Sequence, residues 1–229
     1  MSSFLNDAIE YLPQLFLKGF EVSLPLTLIS FLLGLVFATI SAIILTFPKK
    51  THGDFLFTPL RYFIRFYIWL FRSTPLIVQL YISFYGLPQI FGNAWIAAIS
   101  ILSLNVGAYA AESIRGAITS VPKSQFETGL STGMSNVQVY WNLVIPQATP
   151  IAIPALSNSF ISLFKDTALV STITIVEPFL FAQQIGAEKF HTFNMLILAA
   201  IMYAFFTSVL NLLQKLLEKK LVYLRPSER

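Results

Sequence analysis

The stretch Val22–Phe47, VSLPLTLISFLLGLVFATISAIILTF, decides the fold, because it contains no charged side chain. A helix needs about 20 mostly apolar residues to cross a bilayer, and this stretch is long enough. Together with four later apolar stretches, it predicts five transmembrane helices at Val22–Phe47, Phe66–Tyr85, Ala94–Tyr109, Ile151–Val176 and Phe193–Leu213. We therefore predict an all-α membrane protein.

The composition supports the same class for the whole chain. Hydrophobic residues make up 55% of the 229 residues and charged residues 11%, whereas about a quarter of a soluble domain is charged. Cysteine is absent, which leaves no disulfide framework and no thiolate metal site. The net charge of +4 comes from basic residues beside the apolar stretches, so we predict contact with membrane lipid and no nucleic-acid partner. Residues 1–229 are predicted to form a single transmembrane domain.

The positive charges predict how the chain crosses the membrane. They cluster after the first, third and fifth apolar stretches, at Lys49, Lys50, Arg61, Arg65, Arg72, Arg115, Lys123, Lys215, Lys219, Lys220, Arg225 and Arg229. Because cytoplasmic loops carry the excess of lysine and arginine, we predict an external amino terminus and a cytoplasmic carboxyl terminus. Residues 1–20, which Pro13 is predicted to interrupt, form either an interfacial segment or a short packing helix before the first span.

Two features predict local helix geometry. Gly34, Ala38 and Ala42 recur at four-residue spacing, which lets a neighbouring helix approach closely in a membrane. Pro75 enters the second apolar stretch and frees a backbone carbonyl, so a bend is predicted within Arg72–Pro75.

Residues 118–146 contain a polar segment between two apolar stretches, predicted to be a cytoplasmic loop. Two capping boxes occur in it, in which a serine and a glutamate or glutamine three residues later satisfy each other's free amides. These pairs are Ser124 with Glu127 and Ser135 with Gln138. We predict two short helices, the first stopped by Gly133 and the second ending at Ile145–Pro146.

The first of these two helices is predicted to carry an apolar face. Phe126 and Leu130 share one side of it, and Met134 follows just beyond its end. Two interpretations fit this pattern: the face packs against the chain itself, or it enters the groove of a partner protein.

Polar side chains inside the predicted spans mark a candidate substrate path, since they cost energy in lipid unless they face water, substrate or one another. Helical spacing groups them on one face of each span: Gln79 and Ser83; Asn105, Tyr109 and Glu112; Asn158, Ser162 and Lys165. Such hydrogen-bonding groups suit a zwitterionic substrate. Glu112 either meets an ammonium group or pairs with Arg115, and the amides either contact substrate or join helices.

A second set of residues is predicted to act as a gate or to have a structural role, and the two possibilities remain open. Its members are Arg72, Thr74, Pro75, Lys165 and Asp166.

Catalytic patterns are missing from the sequence. His52 and His191 are the only histidines and have no metal-ligand spacing, and no G-x-S-x-G element occurs. No G-x-x-x-x-G-K-[ST] occurs either, so the chain has no phosphate-binding loop of its own. We predict that it is not an enzyme and that any power source is another polypeptide.

Several sequence blocks resemble a known family. They are Arg72–Leu76, Gln79–Leu80, Gly86–Pro88, Leu104–Asn105, Ala108–Glu112, Glu127–Gly129 with Gly133, Ile145–Pro146, Leu156–Phe160 and Lys165–Thr167. The Glu127–Gly129 block, with Gly133 and Ile145–Pro146 further on, resembles the Glu-Ala-Ala loop of permease subunits in binding-protein-dependent ABC importers, although Thr128 and Gly129 replace the two alanines. The other blocks resemble the polar amino-acid subfamily, and within it the chain looks most like L-cystine permeases.

The resemblance implies the rest of the expected assembly. The fold would be an ABC importer type I transmembrane domain with five transmembrane helices and a cytoplasmic coupling-helix loop. Coupling to the ATPase would fall to Phe126, Glu127, Thr128, Gly129, Leu130, Gly133 and Met134. The partners would be an ABC ATPase dimer that binds ATP and Mg, an extracytoplasmic amino-acid-binding protein, and a second permease subunit, identical or a paralogue.

The resemblance also implies a place and a substrate. The chain would be a multi-pass protein of the bacterial cell membrane that imports L-cystine. Two alternatives are a permease for arginine, glutamine or histidine, and an ion-coupled secondary transporter, which would need internal repeats around broken helices.

Overall fold

The computed structural model describes residues 2–47 and 57–222. Its regular elements are helical throughout that part of the chain. The α-helices are α1 (Ser2–Lys18), α2 (Leu24–Thr46), α3 (Phe57–Ser73), α4 (Leu76–Tyr81), α5 (Pro88–Phe91), α6 (Ala94–Ser120), α7 (Lys123–Ser131), α8 (Asn136–Val139), α9 (Ile145–Asp166), α10 (Pro178–Lys189) and α11 (Thr192–Val222). Lys49, Lys50, His52, Arg225 and Arg229 lie outside the described residues.

By length and composition, three described helices are apolar enough to cross a membrane, or four if a bent pair counts as one span. These are Ser3–Thr46, Ala94–Ser120, Thr192–Lys220 and the pair Asn136–Ile173 with Pro178–Lys189. The remaining predicted span, Phe66–Tyr85, is divided between two helices. α3 ends at Ser73 and α4 begins at Leu76, with Pro75 in extended conformation before it, so the helix is interrupted where the sequence predicts a bend.

Three π-helical segments interrupt the α-helical geometry, and each ends two residues before a proline. The segments are Gly19–Ser23, Ile82–Gly86 and Tyr140–Val144, and the prolines are Pro25, Pro88 and Pro146. A proline has no N–H to donate and its ring clashes with the carbonyl four residues earlier, which in each case belongs to the π segment. We infer that the wider π turn accommodates this missing bond.

Two predicted helix boundaries are wrong. Pro13 lies inside α1 and does not interrupt it, and α1 continues through Gly19–Ser23 into α2. Likewise the helix predicted to end at Ile145–Pro146 continues into α9, because the π turn before Pro146 lets the backbone pass without a break.

The fourth predicted span is broken near its far end. α9 passes into a 3₁₀ helix at Thr167–Ile173, and α10 then starts at Pro178 with a bend of 52°. Glu177 caps α10: its carboxylate accepts from the N–H groups of Phe179 and Leu180 at 2.8 Å and from the Tyr203 hydroxyl at 2.5 Å. Glu177 is 0% exposed, and its carboxyl oxygens are satisfied by three donors inside the protein.

The described residues form two compact units. The first consists of the residues up to Leu32 with Thr74–Ser103 and Phe160–Leu213, and the second of Leu33–Ser73, Leu104–Ser159 and the residues from Gln214. The core of the first unit packs α1 against α10 and α11, and its buried members are Tyr11, Leu15, Phe164, Ala182, Met195, Leu198, Ala199, Met202 and Phe206. The N-terminal segment therefore packs against this core.

A polar cluster connects α1 to its neighbours at one end of this core. Asp7, which is buried, accepts from Nδ2 of Asn194 at 2.8 Å and lies 3.0 Å from Nδ1 of His191. This cluster joins α1 to the turn between α10 and α11.

In the second unit, the predicted close helix approach is confirmed. Gly34, Ala38 and Ala42 are all buried on α2. Gly107 of α6 lies against Gly34: a Cβ atom at Gly107 would lie 3.0 Å from the Gly34 carbonyl oxygen and 2.9 Å from the Tyr67 hydroxyl. The two backbones touch because neither position carries a side chain.

Arg61 closes the end of α2 in the same unit. Its guanidinium donates to the carbonyl oxygens of Ile44 at 3.0 Å and Phe47 at 3.2 Å, and the side chain is 8% exposed. A cation at a helix C-terminus satisfies free carbonyls and interacts favourably with the helix dipole. Arg61 is thus a helix cap, and only its neighbours on α3 remain available for other roles.

Candidate functional site

The polar loop of the second unit begins with α7, which ends in a complete Schellman motif. The N–H of Met134 donates to the carbonyl of Gly129 at 3.1 Å, and the N–H of Gly133 donates to that of Leu130 at 3.0 Å. Gly133 has φ +86°, a conformation that favours glycine. The prediction that Gly133 stops this helix is confirmed.

The two predicted capping boxes have different outcomes. Ser135 and Gln138 form theirs, with bonds of 2.9 Å and 3.3 Å between side chain and backbone. The box at Ser124 and Glu127 is wrong, because α7 already starts at Lys123 and its N-cap is Pro122, which makes no side-chain cap. One helical residue before Ser124 is enough to take its hydroxyl out of the capping position.

The apolar residues of α7 divide between the two proposed orientations. Phe126 and Met134 pack, partly buried, against a core cluster of the second unit, whereas Leu130 is 42% exposed. Gly129 is buried, and a Cβ there would lie 2.7 Å from a methyl of Val139. One face of α7 therefore packs against the rest of the second unit, and the opposite face is exposed.

That open face is mostly polar. Glu127 and Thr128 are exposed and precede Leu130 on α7. Neither Glu127 nor Thr128 makes a side-chain hydrogen bond or ion pair to another part of the described chain. A rigid helix that leaves a carboxylate and a leucine unused on one face is suited to contact with another molecule.

Three predicted residues meet around a cavity of about 450 Å³ in the second unit. Arg72, Tyr109 and Glu112 line it, and the Arg72 guanidinium carbon lies 5.4 Å from the centre of the Tyr109 ring. This distance allows a cation–π interaction. Arg65 and Trp69 complete the wall and were not among the predicted path residues, although Arg65 was visible in the sequence as one of the basic residues after the first span.

Glu112 pairs within its own helix. Its carboxylate accepts from Nε and Nη2 of Arg115, with the shortest distance 2.8 Å, so of the two interpretations the structure contains the ion pair. About two turns earlier on α6, Asn105 donates to the carbonyl oxygen of Phe71 at 3.3 Å and joins α6 to α3. The Glu112 side chain remains 28% exposed to the cavity.

The path residues of the first unit bond locally. Gln79 donates to the backbone oxygen of Thr74 at 3.1 Å and to its hydroxyl at 2.8 Å. These two bonds link α4 to the residue that precedes Pro75. Ser83 is buried and donates to the carbonyl of Leu80 at 2.8 Å. These contacts stabilise the broken helix around Pro75.

The residues of the α9 stripe are more exposed. Asn158 accepts from Nε2 of Gln214 at 3.1 Å, and the side chains of Ser162 and Lys165 are exposed. Among the ion pairs of residues 2–47 and 57–222, none joins Lys165 to Asp166. The two residues lie at the end of α9, where the 3₁₀ helix begins.

Long apolar helices, a helix broken at a proline and charged side chains around a cavity are typical of multi-pass membrane transporters. The chain belongs to the family of binding-protein-dependent transport system inner membrane components, whose model matches residues 54–223. The predicted family is thereby confirmed, and with it the prediction that the chain is a permease component and not an enzyme.

Individual relatives cover most of the chain. It is 40% identical to the L-cystine transport system permease protein TcyB of Bacillus subtilis (strain 168), over 89% of this chain and 85% of that protein. It is 33% identical to the arginine transport system permease protein ArtQ of the same organism, over 92% and 94% of the two chains.

A solved structure supports the predicted fold class. The chain superposes on the crystal structure of an amino acid ABC transporter with histidines with a TM-score of 0.83 and 31% identity, over 95% of this chain and 98% of that one. The fold is that of an ABC importer type I transmembrane domain.

Proposed function

We propose that this chain is the permease subunit of an ATP-driven importer of a polar amino acid, and that the amino acid is L-cystine. The greater identity to the L-cystine relative than to the arginine relative, 40% against 33%, supports this choice. Arginine, glutamine and histidine are the competing substrates.

The observation that carries the substrate class is the 450 Å³ cavity of the second unit. It places a guanidinium, a phenol ring and a carboxylate around a space of the size that small ligands occupy. A zwitterion offers a carboxylate to Arg72 and an ammonium group to Glu112 or to the Tyr109 ring. We propose this cavity as part of the substrate path.

The other predicted path and gate residues are proposed in the same roles, each within its own unit. Path residues are Asn105 and Asn158 in the second unit and Gln79, Ser83 and Ser162 in the first. Gate or structural residues are Arg72 in the second unit and Thr74, Pro75, Lys165 and Asp166 in the first.

We propose α7 and its Schellman turn as the coupling helix. Its inner face is fixed by Phe126, Gly129 and Met134, so a force on the exposed face would move the rest of the loop as a rigid body. The exposed face, with Glu127, Thr128 and Leu130, would contact an ABC ATPase dimer. ATP and Mg would bind to that dimer.

The remaining partners follow from the same proposal. An extracytoplasmic amino-acid-binding protein would deliver the substrate, and a second permease subunit, identical or a paralogue, would complete the membrane assembly. The chain would span the bacterial cell membrane with its amino terminus outside and its carboxyl terminus inside, as the basic residues predict.

Reconstitution tests this function. The chain, its ATPase and its binding protein are placed in vesicles, and uptake of labelled L-cystine is measured with and without ATP. We expect uptake only when all three proteins and ATP are present. Unlabelled cystine should compete more strongly than arginine, glutamine or histidine.

Two results would contradict parts of the proposal. Stronger competition by arginine, glutamine or histidine would overturn the choice of cystine and keep the importer. Uptake by this chain alone, driven by an ion gradient without the ATPase, would identify a secondary transporter instead.

A further inference from the structure

A second, larger cavity lies at the inner ends of the second-unit helices. Its volume is about 680 Å³, and its wall includes Thr46 at the end of α2, Arg65 of α3, Arg115 of α6, and Lys123 and Phe126 of α7. It shares Arg65 and Glu112 with the 450 Å³ cavity. None of the roles proposed above uses this larger space.

The wall of this cavity is unbalanced in charge. Arg65, Arg115 and Lys123 contribute three cations, against the single carboxylate of Glu112. That carboxylate lies 2.8 Å from Arg115, and its single charge balances only one of the three cations. Among the described residues, Arg65 and Lys123 form no ion pair, so two cations face the cavity without an anion.

The other part of the wall is apolar. Leu45, Ile118 and Val144 line it together with the ring of Phe126, and Tyr140, which lies beside them, is hydrogen-bonded to Thr46. A small hydrophilic anion would leave this surface unused. An amphiphile, with an anionic group attached to hydrocarbon, would satisfy the cations and the apolar wall together.

The position of the cavity identifies the amphiphile. In the proposed orientation, on which this step depends, Arg65 and Lys123 lie at the cytoplasmic edge of the membrane. Anionic lipids of that leaflet attract basic residues, and basic pockets between transmembrane helices on that side bind their headgroups. We propose that the 680 Å³ cavity binds the headgroup of an anionic phospholipid of the inner leaflet.

This site adjoins the coupling loop. Lys123 is the first residue of α7, and Phe126 lies one turn further along the same helix. A bound headgroup therefore contacts α7 directly and stabilises its position against the inner ends of α2 and α6. The permease would couple to its partner differently in membranes with and without anionic lipid.

Photolabelling of the complete transporter tests the site. The complex is placed in lipid nanodiscs that carry a phosphatidylglycerol or a phosphatidylcholine probe, each with a photoactivatable group near the glycerol. We expect the anionic probe to label peptides within residues 118–126 and 140–144. The double variant Arg65→Gln, Lys123→Gln should reduce this labelling about tenfold, because both unpaired cations are lost.

A matched double variant, Lys215→Gln with Lys219→Gln, is the control. It removes two exposed lysines of α11 that do not line the cavity, and labelling should be unchanged. Equal labelling by both probes, or no effect of the first double variant, would overturn the proposal.

Two competition arms distinguish other occupants. Displacement of the anionic probe by inorganic phosphate would assign the cavity to a soluble anion, and displacement by cystine or arginine would assign it to the substrate path. Both results overturn the lipid site. If the anionic probe does not label the cavity while ATP-dependent uptake persists, only the lipid-site proposal is overturned. If uptake does not depend on ATP, the proposed function is overturned.

Discussion

Replacing Gly107 with leucine is expected to prevent stable packing of the second unit. At this position a Cβ atom alone would lie 3.0 Å from the backbone oxygen of Gly34 and 2.9 Å from the Tyr67 hydroxyl. The Gly34 backbone cannot move without separating α2 from α6, and Tyr67 is held by its 2.6 Å bond to the carbonyl of Leu104. Overpacking of this kind costs about 1–3 kcal/mol or more.

The measurement is thermal unfolding of the purified transporter in detergent, followed by size-exclusion chromatography. We expect a fall in Tm of about 10 °C and a smaller folded fraction. Gly116→Leu is the matched control, because Gly116 lies on the same helix and a Cβ there would meet nothing within 4 Å. Equal Tm values for the two variants would show that the Gly34–Gly107 contact is not limiting.

Reversing the charge of Glu127 is expected to reduce ATP-driven uptake at least about tenfold while the chain stays inserted and folded. Glu127 is exposed on α7, so Glu127→Lys removes no contact that the described chain makes with itself. Such surface substitutions change stability by only about 0.5 kcal/mol. A large functional effect therefore requires a partner that contacts this face.

Uptake, ATP hydrolysis and the amount of inserted protein are measured together in reconstituted vesicles. Glu188→Lys serves as the charge-matched control, since Glu188 is 65% exposed and lies on α10. We expect it to retain uptake. If Glu127→Lys also transports normally, α7 does not couple this chain to an ATPase.

Local signals in the sequence predicted local structure well. Gly133 stops α7 because its left-handed conformation depends on that residue alone, and the Ser135–Gln138 box forms because both partners lie within one turn. The interruption of the helix at Pro75 is local in the same sense. Each of these depends on a few adjacent residues.

Features that depend on tertiary packing were missed or left open. The sequence left open whether Phe126 packs against its own chain or enters a partner's groove, and in the structure it packs, partly buried, against the core of the second unit. The break at Thr167–Ile173 contains neither proline nor glycine, so no sequence signal marks it. Glu177 directly before Pro178 did offer a helix-start signal. A side chain that accepts from the first free N–H groups and a proline at the first helical position are both typical of a helix N-terminus.

The candidate site was predicted in part for a related reason. Helical spacing correctly placed Tyr109 and Glu112 on one face of α6, and both line the same cavity. Spacing offered the Glu112–Arg115 pair and interhelical bonding of Asn105 as alternatives but could not choose between these and substrate contact, because the choice depends on rotamers and on a neighbouring helix.

Site-directed cross-linking tests the central claim most directly, namely that α7 is held by a separate ATPase subunit. The sequence contains no cysteine, so Thr128→Cys introduces a single thiol on the exposed face of α7. The variant is assembled with its ATPase in membranes and treated with a short thiol-to-amine cross-linker. We predict a product that joins the permease to the ATPase and whose yield changes when ATP is bound. A thiol that reacts with water-soluble maleimide equally with and without the ATPase, and that cross-links only within its own chain, would contradict the account.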